Sequence, residues 1–364
     1  MKFYKFLLIA FAGTLFFYSC SDDDVATVAD DPDPDPEEMM LPFENGFLIT
    51  NQGIPTTGFG SVDFVDATLT TVTSAIYQDV NGSNLGPTVQ SMGFFGDLAY
   101  IITNETNRIT VVNRFTFEEV ARIETGLENP RYFLEANGKG YVSNWGDPSV
   151  ATDDFIAIID LTTNEVTGTI PVGEGPEELL FNRFNIYVAN QGGISVNNTV
   201  TVIDPVADVV TSTIPVGEVP NSLQIDDNGS LWVLGGGSPA STGNETAGTL
   251  SVINTASNQV ITTFLFGMED HPNYLNIVGD ELYYFLDGAV FKSSASNFQI
   301  PSASEISGVD FSTMMVVNNG ATLLGTDIGD GMTNGEIQVY NLQDNTLTTT
   351  LNVGIVPNHV YINP

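Results

Sequence analysis

The sequence has 364 residues, of which 45 are acidic and 9 basic, giving a formal net charge of −36 at pH 7. This charge excludes nucleic acid as a partner, because phosphate contacts need a basic surface. It is typical of a solubilising surface, with attraction for cations as the alternative. With Cys20 as its one cysteine, the chain cannot form an internal disulfide.

Residues 1–19 are predicted to be a lipoprotein signal peptide. Lys2 and Lys5 precede an apolar run from Phe6 to Phe17. A helix of this length spans ~18 Å, too short for a hydrocarbon core of ~30 Å. The run ends at Cys20, which we predict to be lipidated, the alternative being an ordinary secretion signal with an incidental cysteine. The acidic SDDD that follows resembles a tag for export to the cell surface.

Residues 20–45 are predicted to be a stalk that lifts a domain off the outer membrane towards the cell exterior. The segment is acidic and rich in proline, and it contains too little apolar surface to fold. Prolines at positions 32, 34 and 36 favour an extended polyproline II conformation.

From Gly46 onward the sequence repeats with a period of about 45 residues. TIPVGEGPEELLF begins at Thr169, and TIPVGEVPNSLQI begins at Thr213. Prolines followed by short apolar runs recur at positions 87, 130, 176, 220, 272 and 357. The last interval is nearly two periods, so one copy without its proline is expected near Thr313.

Four short strands, A to D, are predicted in each repeat. Strand A follows the proline, strand B ends in Asn or Asp, strand C ends in an Asp or Asn turn (IAIID, VTVID, LSVIN), and strand D ends in glycine. Four strands in such a period indicate propeller blades. We therefore predict an all-β, seven-bladed propeller over residues 46–364. The C-terminal PNHVYINP is predicted to supply strand A of the first blade and close the ring.

The segment IYVANQGG, with TVTVIDPVADVVTSTIPVGEVPNSLQI, resembles the YVTN-type β-propeller family. The ending GEIQVYNLQDNTLTTTLNVGIVPNHVYIN is similar to surface-lipoprotein propellers that work with TonB-dependent outer-membrane channels, one lineage of which captures corrinoids such as vitamin B12. The resemblance implies a surface protein that binds a small nutrient and hands it to an outer-membrane transporter.

The face of the ring that carries the B–C and D–A links is the predicted ligand face. B–C links such as NWGDPSVATDD are long, and long loops on a rigid scaffold often carry function. Tolerated insertions are the alternative. The predicted ligand-binding residues lie at starts of strand A or ends of strand B: Gln52, Arg131, Tyr132, Asn144, Trp145, Gln191, Asn221, Asn273, Tyr274 and Asn358.

Amide side chains offer donors and acceptors to a neutral polar ligand, and Trp145 offers a stacking plane. Asn51, Asn144 and Asn190 fit a turn-capping role better than a ligand role. Arg131 would either hold an acidic group of the ligand or pair with the nearby Glu128.

Two other groups of residues are candidate metal sites. His271 and His359 could share a metal, although such histidines are mostly structural. DIGDGMTNGE, Asp327 to Glu336, contains oxygen ligands at short spacing but departs from the calcium-loop pattern. No cofactor is required by this reading, and Ca²⁺ is the one candidate ion.

The sequence favours a binding protein, without excluding an enzyme. It contains no G-x-S-x-G elbow and no zinc spacing of Cys and His. The alternatives are a metal-dependent propeller lactonase or polysaccharide lyase, and an adhesion scaffold without a small ligand.

Replacing the lipidated residue should release the protein from the membrane. We expect Cys20→Ser to leave the propeller folded, because each buried CH₂ of an acyl chain contributes ~0.8 kcal/mol and the polypeptide supplies no other anchor. Sedimentation after a carbonate wash measures the outcome. A variant that still pellets with membranes would show that the anchor lies elsewhere.

Overall fold

The computed structural model of the chain describes residues 40–54 and 58–364. The predicted signal peptide, Cys20 and nearly all of the predicted stalk lie outside these residues. Within them are 28 β-strands and a six-residue helix, α1 (Ile76–Asn81), which links the first two blades. No helix in this described part is both long and apolar enough to cross a membrane.

The strands are numbered in chain order. They are β1 (Gly46–Asn51), β2 (Ser61–Asp66), β3 (Val72–Thr73), β4 (Val89–Phe95), β5 (Leu98–Thr103), β6 (Arg108–Asn113), β7 (Glu119–Ile123), β8 (Pro130–Ala136), β9 (Lys139–Asn144), β10 (Phe155–Asp160), β11 (Glu165–Pro171), β12 (Pro176–Phe181), β13 (Ile186–Gly192), β14 (Val196–Asp204), β15 (Val209–Pro215), β16 (Pro220–Ile225), β17 (Ser230–Gly235), β18 (Thr249–Asn254), β19 (Gln259–Leu265), β20 (Asn273–Val278), β21 (Glu281–Leu286), β22 (Ala289–Ser294), β23 (Ile306–Ser307), β24 (Thr313–Val317), β25 (Thr322–Asp327), β26 (Asn334–Asn341), β27 (Thr346–Ile355) and β28 (Pro357–Asn363).

Seven antiparallel four-stranded sheets confirm the predicted seven-bladed propeller. Blade 1 has the strand order β28-β1-β2-β3, and blades 2 to 7 each take four consecutive strands from β4 to β27. Seven apolar clusters fill the seven interfaces between neighbouring blades. Each blade therefore buries both of its faces, which explains the near-continuous apolar runs in strands B and C.

The C-terminal strand closes the ring, as predicted. β28 pairs with β1, and Val360 lies opposite Ile49. The buried side chain of Asn363 also donates to the carbonyl of Arg114 in blade 2 (3.1 Å). The blade without a proline at its start also lies where expected, since β24 begins at Thr313.

One C–D link is much longer than the others. In blade 6 it covers the eleven residues 295–305, whereas in the other blades it covers four or five residues. The apolar side chain of Phe298 from this link packs against Trp232 and Phe264 of blade 5. The insertion therefore fills a blade interface beside the short strand β23.

A repeated backbone contact explains the duplicated TIPVGE-x-P segment. The residue before the strand-opening position has left-handed backbone, as at Gly175 (φ 68°) and Val219 (φ 52°). Its carbonyl accepts a hydrogen bond from a backbone N–H at the end of strand B or directly after it. The D–A corner is thereby bonded to the B–C corner. The bonds are Gln52 N–Val356 O (2.8 Å), Asn104 N–Thr88 O (3.0 Å), Trp145 N–Asn129 O (3.2 Å), Gln191 N–Gly175 O (2.9 Å) and Gly236 N–Val219 O (2.9 Å).

In most of these corners the residue after the hydrogen-bond donor is glycine, for a steric reason. Gly192 has φ 93°, and a Cβ there would lie 2.1 Å from the Ser195 carbonyl oxygen. Gly237 has φ 66°, and its Cβ would lie 2.3 Å from the Thr246 carbonyl oxygen. Only glycine combines this backbone conformation with such close approach.

A second repeated contact ties neighbouring blades together. The strand-B tyrosine of one blade donates to a left-handed Asn or Asp in the C–D turn of the next blade. These bonds are Tyr100 to Asn164 (3.2 Å), Tyr141 to Asp208 (2.7 Å) and Tyr187 to Asn258 (3.0 Å). Blade 5 departs from the rule, because its Trp232 donates instead to Asp226 in its own A–B turn (3.0 Å).

Deleting residues 357–364 should destabilise the whole propeller. The deletion removes strand A of blade 1 and exposes the apolar edge of β1. Because the entropy of unfolding is ~2.1 cal/mol/K per residue, each kcal/mol shifts the melting temperature of a propeller of this size by roughly 1.5 °C, and we expect the loss of a whole strand to lower it by roughly 5 °C or more. Calorimetry measures it. Deleting the exposed Pro364 alone is the control and should have no effect; an unchanged melting temperature for the longer deletion would contradict the ring closure.

Candidate functional site

The centre of the ring contains a cavity of about 660 Å³. The innermost strands of all seven blades line it, because strand A of each blade runs along the ring axis from the D–A corner inwards. Residues at the start of strand A therefore lie at the mouth, and later residues lie deeper. Gln52, which directly follows β1, and Gln191, near the end of β13, join the mouth from the same face.

Seven of the ten predicted ligand-binding residues line this cavity. They are Gln52, Arg131, Tyr132, Gln191, Asn221, Tyr274 and Asn358. Asn144, Trp145 and Asn273 are not among the lining residues. The structure thus brings most of the predicted set together at one mouth, on the face that carries the long B–C links.

Asn144 and Asn273 form structural hydrogen bonds near this mouth. Asn144 is fully buried, donates to the Val142 carbonyl (2.8 Å) and accepts from the Glu128 amide (2.9 Å). Asn273 donates to the His271 carbonyl (2.9 Å) and accepts from Asn221 (2.8 Å). The turn-capping interpretation of Asn144 agrees with these contacts.

The amides of the mouth differ in how much hydrogen-bonding capacity they retain. The side chains of Gln52 and Gln191 form no hydrogen bond with the described part of the chain. Asn358 donates to the carbonyls of Val89 (3.0 Å) and Gln90 (2.8 Å), and its buried oxygen has no partner among the described residues. Among the predicted amides that line the mouth, these three keep a side-chain nitrogen or oxygen without a partner in the described part of the chain.

Arg131 bridges two blades at the mouth. Its Nε donates to Glu177 (2.7 Å) and its Nη1 to Gln90 (2.9 Å). Its guanidinium carbon also lies 4.7 Å from the ring centroid of Trp145. The partner is thus Glu177, one repeat later, and the pairing with Glu128 considered from the sequence is not the one formed.

Two titratable side chains that the ligand prediction did not include, those of His359 and Glu178, also line the cavity. Tyr132 is 3.1 Å from Nε2 of His359, whose Nδ1 is buried without a partner in the described chain. Burial, and secondly the charge of Arg131, lower the pKa of His359 to about 4. This histidine is therefore neutral at neutral pH, and it can accept or donate hydrogen bonds in the cavity.

Glu178 faces the same cavity with an unusual protonation equilibrium. Burial raises the pKa of its carboxyl to about 7, with the neighbouring Glu177 adding to the rise and the 2.8 Å bond from the Leu223 amide opposing it. Burial also raises the pKa of Glu177, against the effect of Arg131. The sequence contains a sign of this carboxyl pair, because Glu177-Glu178 occupies the position at which the neighbouring repeat has the uncharged Asn221-Ser222.

The structure describes the surroundings of each candidate metal site from the sequence. Across residues 40–54 and 58–364, no group of three or more His, Cys, Asp or Glu side chains is placed to hold a metal ion. In the predicted calcium loop, Asp327 accepts from the Gly329 amide (2.8 Å) and Asp330 from the Met332 amide (2.9 Å). His271 lies against the Gly236 carbonyl (2.7 Å), whereas His359 lines the cavity.

A family model described as a domain of unknown function, DUF5074, matches residues 45–300. The chain belongs to this family. The match covers blades 2 to 5, blade 1 without its C-terminal strand β28, and part of blade 6, which includes most of the cavity mouth. No curated protein matches the sequence.

Solved structures of other propellers are similar over most of the chain. The periplasmic gluconolactonase of Pseudomonas aeruginosa has a TM-score of 0.63 at 12% identity, covering 88% of this chain and 99% of that one. A quinonprotein alcohol dehydrogenase-like protein from Bacteroides thetaiotaomicron has 0.64 at 13%, covering 89% and 79%. Hydrazine synthase of Kuenenia stuttgartiensis has 0.58 at 17%, covering 86% and 96%. At these identities the likeness shows the fold alone.

Glu178 and His359 should have opposite effects on how the free energy of unfolding varies with pH. The pKa of Glu178 is raised from 4.5 to about 7, so its contribution is lost as pH rises through this range. The pKa of His359 is lowered from 6.5 to about 4, so stability falls as pH drops through that range. In the native protein the two slopes largely cancel between about pH 4.5 and 6.5.

Single substitutions should reveal the pH dependence of stability that each of these two side chains contributes. Relative to the native protein, Glu178→Gln should gain about 1–3 kcal/mol of unfolding free energy between pH 4.5 and 7, and His359→Gln should gain as pH falls. Urea unfolding at several pH values measures both. Variant curves that run parallel to the native curve would contradict this assignment.

Proposed function

We propose that this protein is a lipid-anchored binding protein of the outer cell surface that captures a small polar nutrient at the cavity mouth. The observation that carries the proposal is the cavity of about 660 Å³, open on the loop-rich face and bordered by the side-chain amides of Gln52 and Gln191, which form no hydrogen bond with the described part of the chain. A ligand whose periphery carries both donors and acceptors would complement this border.

A corrinoid such as vitamin B12 is the ligand that we propose first. Corrinoids carry amide side chains around a large ring, and amides pair with amides in both directions. The lipoprotein resemblance of the sequence supports the same ligand and a further step, delivery to a TonB-dependent outer-membrane transporter. The proposal requires no cofactor, and Ca²⁺ remains the ion to test.

A propeller enzyme is the second candidate, because one observation favours it. Glu178, with a carboxyl pKa of about 7, and the neutral His359 lie in the same cavity. Perturbed titratable groups in a cleft are typical of acid–base sites. A lactone or a polysaccharide would be the substrate under this alternative.

A thermal-shift screen separates these candidates. A ligand that binds only the folded state raises the melting temperature, by an amount that grows with concentration over Kd. Vitamin B12, lactones, glycans and CaCl₂ would be compared on the purified chain. The proposal expects vitamin B12 to give the largest shift without turnover; conversion of a lactone or glycan, or no shift with any corrinoid, would contradict it.

Substitutions on the two faces of the ring should differ in effect on binding. Gln52→Ala and Gln191→Ala should each weaken binding by about 1 kcal/mol, the usual value of a hydrogen bond, and neither residue supports the fold with its side chain. Gln343→Ala, an exposed glutamine in the C–D turn of blade 7 on the opposite face, is the matched control.

Calorimetry with the ligand from the screen measures all three variants. The control should change affinity by less than ~0.5 kcal/mol. Affinity should also vary little between low and moderate salt, because the proposed contacts are between neutral groups. A loss confined to Gln343→Ala would place the ligand on the other face.

A further inference from the structure

A second concavity adjoins the cavity mouth on the same face. It is a groove of about 540 Å³ between the B–C links of blades 3, 4 and 5, and Trp145, Ile194, Val196 and Asn244 line it. Gln191 lines both this groove and the central cavity. The two spaces therefore meet at one side chain, so one ligand can occupy both.

Apolar side chains in the groove are left open to solvent. Ile194 is 57% exposed and Val196 is 44% exposed, both in the B–C link of blade 4 or at its edge. Trp145 is partly exposed beside them. Apolar groups placed together in a concavity next to a polar mouth are typical of a ligand subsite, because burying them on binding is favourable.

The indole of Trp145 is held in place before any ligand arrives. Its Nε1 donates to the Pro176 carbonyl (3.2 Å), and the guanidinium of Arg131 lies over the ring at 4.7 Å. Arg131 is itself fixed by Glu177 and Gln90. Since the indole N–H is already bonded, the surface that Trp145 offers to a ligand is apolar and aromatic.

The charge of the groove narrows the class of ligand. No Lys or Arg belongs to its lining within the described residues, and its charged member is Glu218. The carboxylate of Glu218 accepts from Ser238 (3.0 Å) and Thr246 (2.6 Å), which holds the long link of blade 5. An anionic group such as a phosphate would therefore be disfavoured, whereas a neutral aromatic group would not.

We infer that this groove is a second subsite, which binds a neutral planar aromatic group of the ligand whose polar part occupies the cavity mouth. The inference rests on the proposed function only where it states that the polar part of the same ligand occupies the cavity mouth. Trp145 and Ile194 provide the contact surface, and Gln191 marks the junction between the two subsites.

The two tryptophans of the chain give a direct test. The full chain would be labelled with fluorotryptophan, which yields one fluorine NMR signal from Trp145 and one from Trp232. Trp232 is 4% exposed and lies away from the groove lining, so it is the internal control. Titration with benzimidazole, at a mildly alkaline pH where it is neutral, should shift the Trp145 signal and leave the Trp232 signal in place.

A filling substitution tests whether the shift arises in the groove. A Cβ at Gly193 would lie 3.6 Å from the indole of Trp145 and 3.8 Å from Glu174, which are ordinary contacts. The Gly193→Leu variant should therefore fold, and its leucine side chain should occupy the groove. We expect it to weaken the binding of benzimidazole by roughly tenfold or more, the scale of a truncated binding hot spot. Gly168→Leu, whose Cβ would also meet only an ordinary contact at 3.6 Å in the outer strand β11, is the matched control.

The outcomes separate this inference from the proposed function. Equal shifts of both signals, no shift of the Trp145 signal, or unchanged binding by Gly193→Leu would overturn the second subsite. The titration contains no ligand for the cavity mouth, so the thermal-shift screen decides the function independently. A screen without a hit, together with a Trp145 shift that Gly193→Leu abolishes, would retain the aromatic groove and reject the function.

Discussion

The hydrogen bond between the D–A corner and the B–C corner determines both the blade and the candidate site. The donor is a residue at the end of strand B or directly after it, and the acceptor is the left-handed residue directly before strand A. Gln52, Trp145 and Gln191 are three such donors. The contact that turns the chain at the edge of each blade therefore also delivers three candidate ligand contacts to one face of the ring.

This arrangement separates scaffold from chemistry. The backbone contact recurs in five blades and does not involve the side chain of the donor, so the same position is Gln in two blades, Asn in a third, Trp in a fourth and Gly in a fifth. The strand-B tyrosines that reach the next blade have the opposite role, because their side chains are needed by the fold. Function is therefore expected where the repeat does not dictate the side chain.

Periodicity was sufficient to predict the blades and the ring closure, because both depend on spacing along the chain. It was less informative about individual side chains. Glu128 is near Arg131 in sequence, but the partner is Glu177, one full repeat later. Trp145 occupies the same corner position as Gln52, yet it lies beside Arg131 in the groove. Such side-chain packing cannot be predicted from the spacing of residues along the chain. Glu178 and His359 were missed as a pair because consecutive residues of an innermost strand can all line a central cavity.

The most direct measurement of the central claim is a crystal structure of the chain with the compound that raises its melting temperature most. The account predicts that this compound lies over the mouth of the central cavity, within hydrogen-bond distance of the side-chain amides of Gln52 and Gln191. A compound bound on the face of the A–B and C–D turns, with an empty mouth, would contradict it.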